Sequence, residues 1–121
     1  EIGEHVVIGG NSAVQQFTRI GKMAMIGGMT GVLNDVIPYG LSIGNRNHLQ
    51  GLNLIGLRRK NISNKDILEL SEAYKEIFKT DKLSENLSKL NGSFQNNELV
   101  KDVVDFINKD KKRPICSPFS K

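Results

Sequence analysis

Of 121 residues, none is tryptophan, one is cysteine, two are histidine and three are proline. With Cys116 alone an internal disulfide is impossible, and the composition fits a reducing compartment, for which the cytoplasm is the default. His5 and His48 stand far apart with no third ligand nearby, so no resident metal is expected. No apolar run reaches the roughly 18 residues that a membrane-spanning helix needs, and no basic-plus-apolar leader occurs within these residues. Acidic residues are the minority: the formal net charge is +4, concentrated at Arg58, Arg59, Lys60 and at Lys109, Lys111, Lys112, Arg113. Such patches suit an acidic partner, phosphate or carboxylate.

What the sequence does have is a beat of six. Ile2, Ile8, Val14, Ile20, Ile26 and Val32 recur without a miss, and Val6, Ser12, Thr18, Ala24, Thr30 and Val36 follow four places behind. Glycine takes the place after the aliphatic residue at Gly3, Gly9, Gly21 and Gly27. A helix would scatter positions six apart over different faces, whereas an even period keeps them on one face of a pleated chain. Six-residue repeats are the signature of a parallel β-helix. Three hexads per coil would stack Ile2 over Ile20, Ile8 over Ile26 and Val14 over Val32, about two coils in all. Solenoids need caps and at least three repeats, so the start on Glu1 reads as a cut through a longer array.

The repeat is expected to close over residues 34–40, where Pro38 lacks a ladder donor. Residues 41–62 read as a connecting loop with substrate contacts, carrying Gly44, Asn45, Arg46, Asn47 and His48, then Gly51, Leu52 and Asn53. Ser63 is an N-cap with Asp66 three places on, and Ile67, Leu70, Tyr74, Ile77 and Phe78 keep helical spacing. Leu83, Leu87 and Leu90 predict a second helix, and Leu99, Val100, Val103, Val104, Phe106 and Ile107 a third. From Lys109 the chain has two prolines and no period, which predicts a loose tail. The fold class is therefore mainly β plus α: coils over 1–40, a loop over 41–62 and a helical domain over 63–121.

Taken together, the hexads, the break at Val14, Gln15, Gln16 and Phe17, the run from Asp35 to Tyr39, Gly44 with Asn45, and the run from Gly51 to Lys60 resemble one family. It is that of the acyl carrier protein–UDP-N-acetylglucosamine O-acyltransferases. The resemblance is clearest over residues 1 to about 80, helped by Ala73, Tyr74 and Lys75 in the capped helix. It implies a homotrimer of left-handed parallel β-helices, N-terminally truncated here, with a C-terminal helical domain. The implied reaction, the first step of bacterial lipid A biosynthesis in the cytoplasm, moves a 3-hydroxyacyl group from acyl carrier protein to the 3-hydroxyl of UDP-N-acetylglucosamine. No cofactor is implied beyond the 4′-phosphopantetheine on the donor, and neither nucleic acid nor stable membrane insertion.

The family's general base is a histidine of preceding coils, absent from this chain, so no catalytic residue is expected here. Gln15 stands where the family usually has histidine, and an amide cannot titrate near neutrality. It and Gln16 remain candidates for substrate contact, or else polar residues on an outward face. Gly28 matches a chain-length ruler, glycine leaving the groove open, although Gly27 and Gly28 also suit a tight corner. Met25 suits the same acyl groove, while Met23, Met25 and Met29 equally suit packing between subunits. Asn53 resembles a base or ribose contact, and Arg59 and Lys60 resemble contacts to phosphates or to the carrier's phosphopantetheine. Lys60 is commonly arginine in the family, and lysine gives up the bidentate fork. Ile55 replaces an acidic residue that some members use toward the nucleoside. Arg46 is a candidate beside the acyl groove or a solvated surface residue. The alternative reading is a non-catalytic remnant of a split gene that trimerises or docks acyl carrier protein.

Overall fold

The structure, a computed structural model, describes residues 1–43, 48–90, 94, 96–109 and 114–118. Its first part is built from two-residue strands: β1 (Val7–Ile8), β2 (Ala13–Val14), β3 (Met25–Ile26) and β4 (Gly31–Val32). They form three parallel ladders. The first runs through bridges from Ile2 to Ile20 to Val36; the second joins β1, β3 and β5 (Gly40–Ile43); the third joins β2 and β4. Partners are eighteen residues apart at Ile2 and Ile20, Val7 and Met25, and Ala13 and Gly31, the stacking expected of three hexads per coil.

One non-glycine residue per hexad bends back through positive φ: His5, Asn11, Phe17, Met23 and Met29, with φ between 56° and 69°. These are the corners, always three places after the aliphatic residue. The next corner is Tyr39, φ 65°, three places after Val36. Val36 has thus moved into the aliphatic role: only sixteen residues separate Ile20 from Val36 and Met25 from Leu41. Two residues have been lost between Val32 and Val36.

The ladder does not close at Pro38. Bonds donated by Gly21 to the Val36 carbonyl, by Val36 to that of Arg19 and by Tyr39 to that of Lys22 carry the coil past this corner, and none needs an N–H at 38. Parallel pairing continues to Leu41 and Ser42. There β6 (His48–Leu52) turns back antiparallel on β5, with a bulge between Leu41 and Ser42 and Gly51 at φ 133°. Part of the segment expected to be loop is therefore a hairpin that caps the ladder, covering the edge that solenoids must protect.

Four helices follow: α1 (Leu54–Arg59), α2 (Asn64–Ile77), α3 (Leu83–Ser88) and α4 (Glu98–Lys109). The last three lie where the apolar spacing puts them, and Ser63 Oγ caps α2 by accepting from the Asp66 N–H at 3.2 Å. Helix α1 replaces expected loop. Asn97 fastens α4 to α2: its Oδ1 accepts from the Leu99 and Val100 N–H groups, while Nδ2 donates to the Asp66 carbonyl and to Glu69. The core is continuous from the coil interior, with Ile20, Ile26, Val32 and Val36, to Leu57, Leu70, Ile77 and Val103 of the helices.

The tail is not loose over residues 114–118. Ile115 pairs with Asp35, the Asp35 N–H donates to the Pro114 carbonyl, the Cys116 N–H donates to the Asp35 carbonyl at 2.7 Å, and Leu49 donates to Ser117. This strap adds a strand below the last coil and buries Cys116 completely.

Candidate functional site

The corner formed by His5, Met23 and Tyr39 is where the C-terminal part docks. Asn53 leaves β6 there, donating its backbone N–H to the Tyr39 carbonyl at 2.7 Å and its side-chain amide to the Met23 carbonyl at 2.9 Å. Its Oδ1 meanwhile accepts from the Gly56 N–H at 3.1 Å, which caps α1. Gly56 is required by that cap: a Cβ at this position would fall 2.5 Å from the Asn53 amide nitrogen. One N–H and one lone pair of the buried Asn53 side chain remain for other partners.

Helix α1 ends in the exposed cations Arg58 and Arg59 with Lys60 as its C-cap. Lys60 Nζ lies 3.5 Å from His5 Nδ1, so Asn53 and Lys60 hold one corner from two sides, with Arg59 beside them. Ile55 is exposed on the same helix. Met25 begins the neighbouring wall two residues after the Met23 that Asn53 binds, and its row contains Val7 above and Leu41 below. Gly28 follows on this wall, exposed, and a Cβ there would meet nothing nearer than the Gly10 carbonyl at 3.4 Å.

Gln15 and Gln16 are elsewhere. Both are exposed beyond β2 at the corner of Phe17, where the Gln15 N–H donates to Val32. One chain therefore brings together Asn53, Arg59, Lys60 and the Met25 wall, and leaves the two glutamines on another corner. Arg46 lies outside the described residues. On the corners that no helix covers, Phe17, Met29 and Leu33 are exposed.

Sequence reasoning missed a second constellation, on the first ladder. Buried Arg19 pairs with buried Asp35, Nε to Oδ2 at 2.9 Å, while the Arg19 N–H donates to Oδ1. The guanidinium also donates to the Phe106 carbonyl and lies 4.2 Å over the Phe106 ring. The Tyr39 hydroxyl donates to Asp102 at 2.5 Å, and Lys22 pairs with Asp102 at 3.0 Å. Burial first, then the bond to Asp102, pushes the Tyr39 phenol far above its ordinary value, so it stays a donor. These groups border a cavity of about 370 Å³ between α4 and the first ladder, also lined by Gly3, Glu4 and Pro38. No local signal announces it, because its parts lie up to 87 residues apart.

Cys116 is buried against Ser42, Sγ to Oγ 3.9 Å. Burial raises its pKa to about 11 against the lowering effect of the Ser42 bond, which makes the thiol inert at neutrality.

Residues 35–116 match the sequence profile of the family described as UDP N-acetylglucosamine O-acyltransferase, domain 2. An acyl-[acyl-carrier-protein]–UDP-N-acetylglucosamine O-acyltransferase of Rhizobium etli is 42% identical over 114 residues, 93% of this chain and 42% of that protein. The enzyme of the same name from Nautilia profundicola is 41% identical over 112 residues, 93% of this chain and 43% of its own. Among solved structures, the UDP-N-acetylglucosamine O-acyltransferase of Moraxella catarrhalis superposes with a TM-score of 0.86 at 37% identity, over 94% of this chain and 44% of that one. That of Campylobacter jejuni gives 0.83 at 33%, over 97% and 45%. The chain spans less than half the length of the curated relatives it matches.

Proposed function

Because the chain belongs to the UDP-N-acetylglucosamine O-acyltransferase family, we propose that it forms the downstream wall of an enzyme that transfers a 3-hydroxyacyl chain from acyl carrier protein to the 3-hydroxyl of UDP-N-acetylglucosamine. This would be the opening step of lipid A biosynthesis in a bacterial cytoplasm. The observation that carries the reading is the match over residues 35–116, which contains Asn53, Arg59 and Lys60. In this reading Arg59 and Lys60 attract phosphate or phosphopantetheine, Asn53 meets the nucleoside, and the acyl chain lies along the wall of Met25 and Gly28, with Arg46 nearby. The sugar hydroxyl attacks the thioester carbonyl as a histidine from coils ahead of residue 1 removes its proton. The phosphopantetheine sulfur leaves with its electron pair and is protonated. This chain alone would be inactive, and no cofactor resides in it.

Two features support the quaternary part of the proposal, a homotrimer of left-handed coils. The glutamines and the Asn53 corner lie on different edges of one prism, so a cleft using both draws on adjoining subunits. The apolar residues Phe17, Met29 and Leu33 stand on edges that helices leave bare, the kind of surface subunits bury. The first rung supports further coils: Ile2 is 56% exposed although Ile20, its partner below, is 2% exposed.

The full-length protein is expected to consume 3-hydroxyacyl carrier protein only when UDP-N-acetylglucosamine is present; a protein that binds neither substrate ends this reading and favours the split-gene alternative. Combining Arg59→Glu with Lys60→Glu is expected to raise KM for the sugar nucleotide or the carrier by about 10-fold or more, as expected for loss of charge-assisted bonds. The thermal midpoint should hold, since both side chains are exposed. Unchanged KM values at low salt would refute the assignment.

A further inference from the structure

We propose that Ile43 is the stop that sets how long an acyl chain this enzyme accepts, an inference that rests on the acyltransferase reading and deepens it. On the wall of Met25, the register that aligns Ile8, Ile26 and Ser42 brings Gly9, Gly27 and Ile43 into the next row. The backbone bonds from Gly9 to Ile26 and from Gly27 to Ser42 hold that row. Two coils thus present bare backbone, and Ile43 supplies the first side chain. It does not stand aside: its Cγ2 reaches back to within 2.4 Å of the place a Cβ on Gly27 would take. While Ser42 beside it is wholly buried, Ile43 is 39% exposed.

A hydrocarbon lying over Gly28 beside Met25 and Met29, both exposed apolar residues, therefore has room across two rungs, roughly 10 Å. It then ends against a branched methyl. That methyl cannot swing away as a loop residue could, because Ile43 pairs with His48 in the β5–β6 hairpin and a β-branched side chain is stiff at χ1. Gly28 leaves the groove open, and Ile43 closes its end.

The test is acyl transfer by the full-length protein with a series of 3-hydroxyacyl carrier proteins of increasing length. Ile43→Ala is expected to move the preference to longer chains, raising the ratio of kcat/KM for a longer chain over the wild-type optimum by about 10-fold, the usual effect of a methylene in an apolar pocket. Ile43→Phe should move it to shorter chains by a similar factor, with Ile43→Val in between. KM for the sugar nucleotide should be unchanged. A ratio between lengths is insensitive to the amount of folded enzyme, so a merely structural role would leave it fixed. If wild type transfers and all three variants keep its length profile, the Ile43 proposal is overturned and the function stands. If wild type transfers no acyl length at all, the function falls and the Ile43 proposal with it.

Discussion

At the residue scale the sharpest feature is the pair of Arg19 and Asp35. Both are buried, and one carboxylate answers the backbone N–H and the guanidinium of the same arginine while that guanidinium also holds the Phe106 carbonyl. The pair ties the first ladder to α4, and the backbone of Asp35 takes the tail strap. Removing one partner strands the other away from water, which costs about 3–5 kcal/mol. Asp35→Asn is therefore expected to lower the urea midpoint by that much, although an amide oxygen could still accept from the Arg19 N–H. Arg19→Met combined with Asp35→Leu should recover much of the loss, because no uncompensated charge remains. If the double variant were less stable than Asp35→Asn, the stranded charge would not be the cause. Neither residue stands out in the sequence, as Arg19 occupies an ordinary hexad position and Asp35 reads as turn.

At the element scale, what the sequence made legible was whatever repeats locally. The six-residue period gave the columns of Ile2 with Ile20 and of Val14 with Val32 because each rung restates the same steric demand, and the apolar spacing after Ser63 gave α2 for the same reason. Helix α1 stayed hidden because it is six residues long and contains Gly56, ordinarily a helix breaker but here the residue that lets the Asn53 amide approach. Hairpin β5–β6 stayed hidden because glycine and asparagine read as loop. At the candidate site, the residue types at Asn53, Arg59 and Lys60 were readable, whereas the corner that gathers the first and last of them depends on Met23 and His5, more than 30 positions distant in the second contact. The tail is the extreme case, since its partners are Asp35 and Leu49. Truncation before Pro114 is expected to uncover the edge of Asp35 and the apolar surface that Ile115 and Cys116 cover. The measurement is hydrogen exchange: the amides of Asp35 and Leu49, whose acceptors are the Pro114 and Ser117 carbonyls, should exchange faster by at least about tenfold, one hydrogen bond's worth of protection. Unaltered rates would mean that the strap contributes nothing to the coil's end.

At the scale of the whole molecule, the seam between coils and helices has its own response to pH. Three acids sit along it with raised pKa values: Cys116 at about 11 from 9.0 and Tyr74 at about 12 from 10.0, both chiefly through burial, and Tyr39 higher still through burial and then Asp102. Because the folded values lie above the unfolded ones, the native state holds protons that the unfolded chain has released, and stability falls with rising pH wherever that difference exists. Below pH 9 all three are protonated in both states and their contribution is constant. Between about pH 9 and 11 Cys116 alone would withdraw on the order of 2 kcal/mol, and Tyr74, whose ring packs on Phe78 at 5.1 Å and lies near the Cys116 thiol, adds to the slope above pH 10. The expected outcome is a urea midpoint that these groups leave flat from pH 7 to 9 and that then declines, with Cys116→Ser moving the onset of decline about one pH unit higher, to where Tyr74 begins to titrate unfolded. A midpoint that falls equally early in Cys116→Ser would assign the alkaline loss to another group and leave the strap without a part in it.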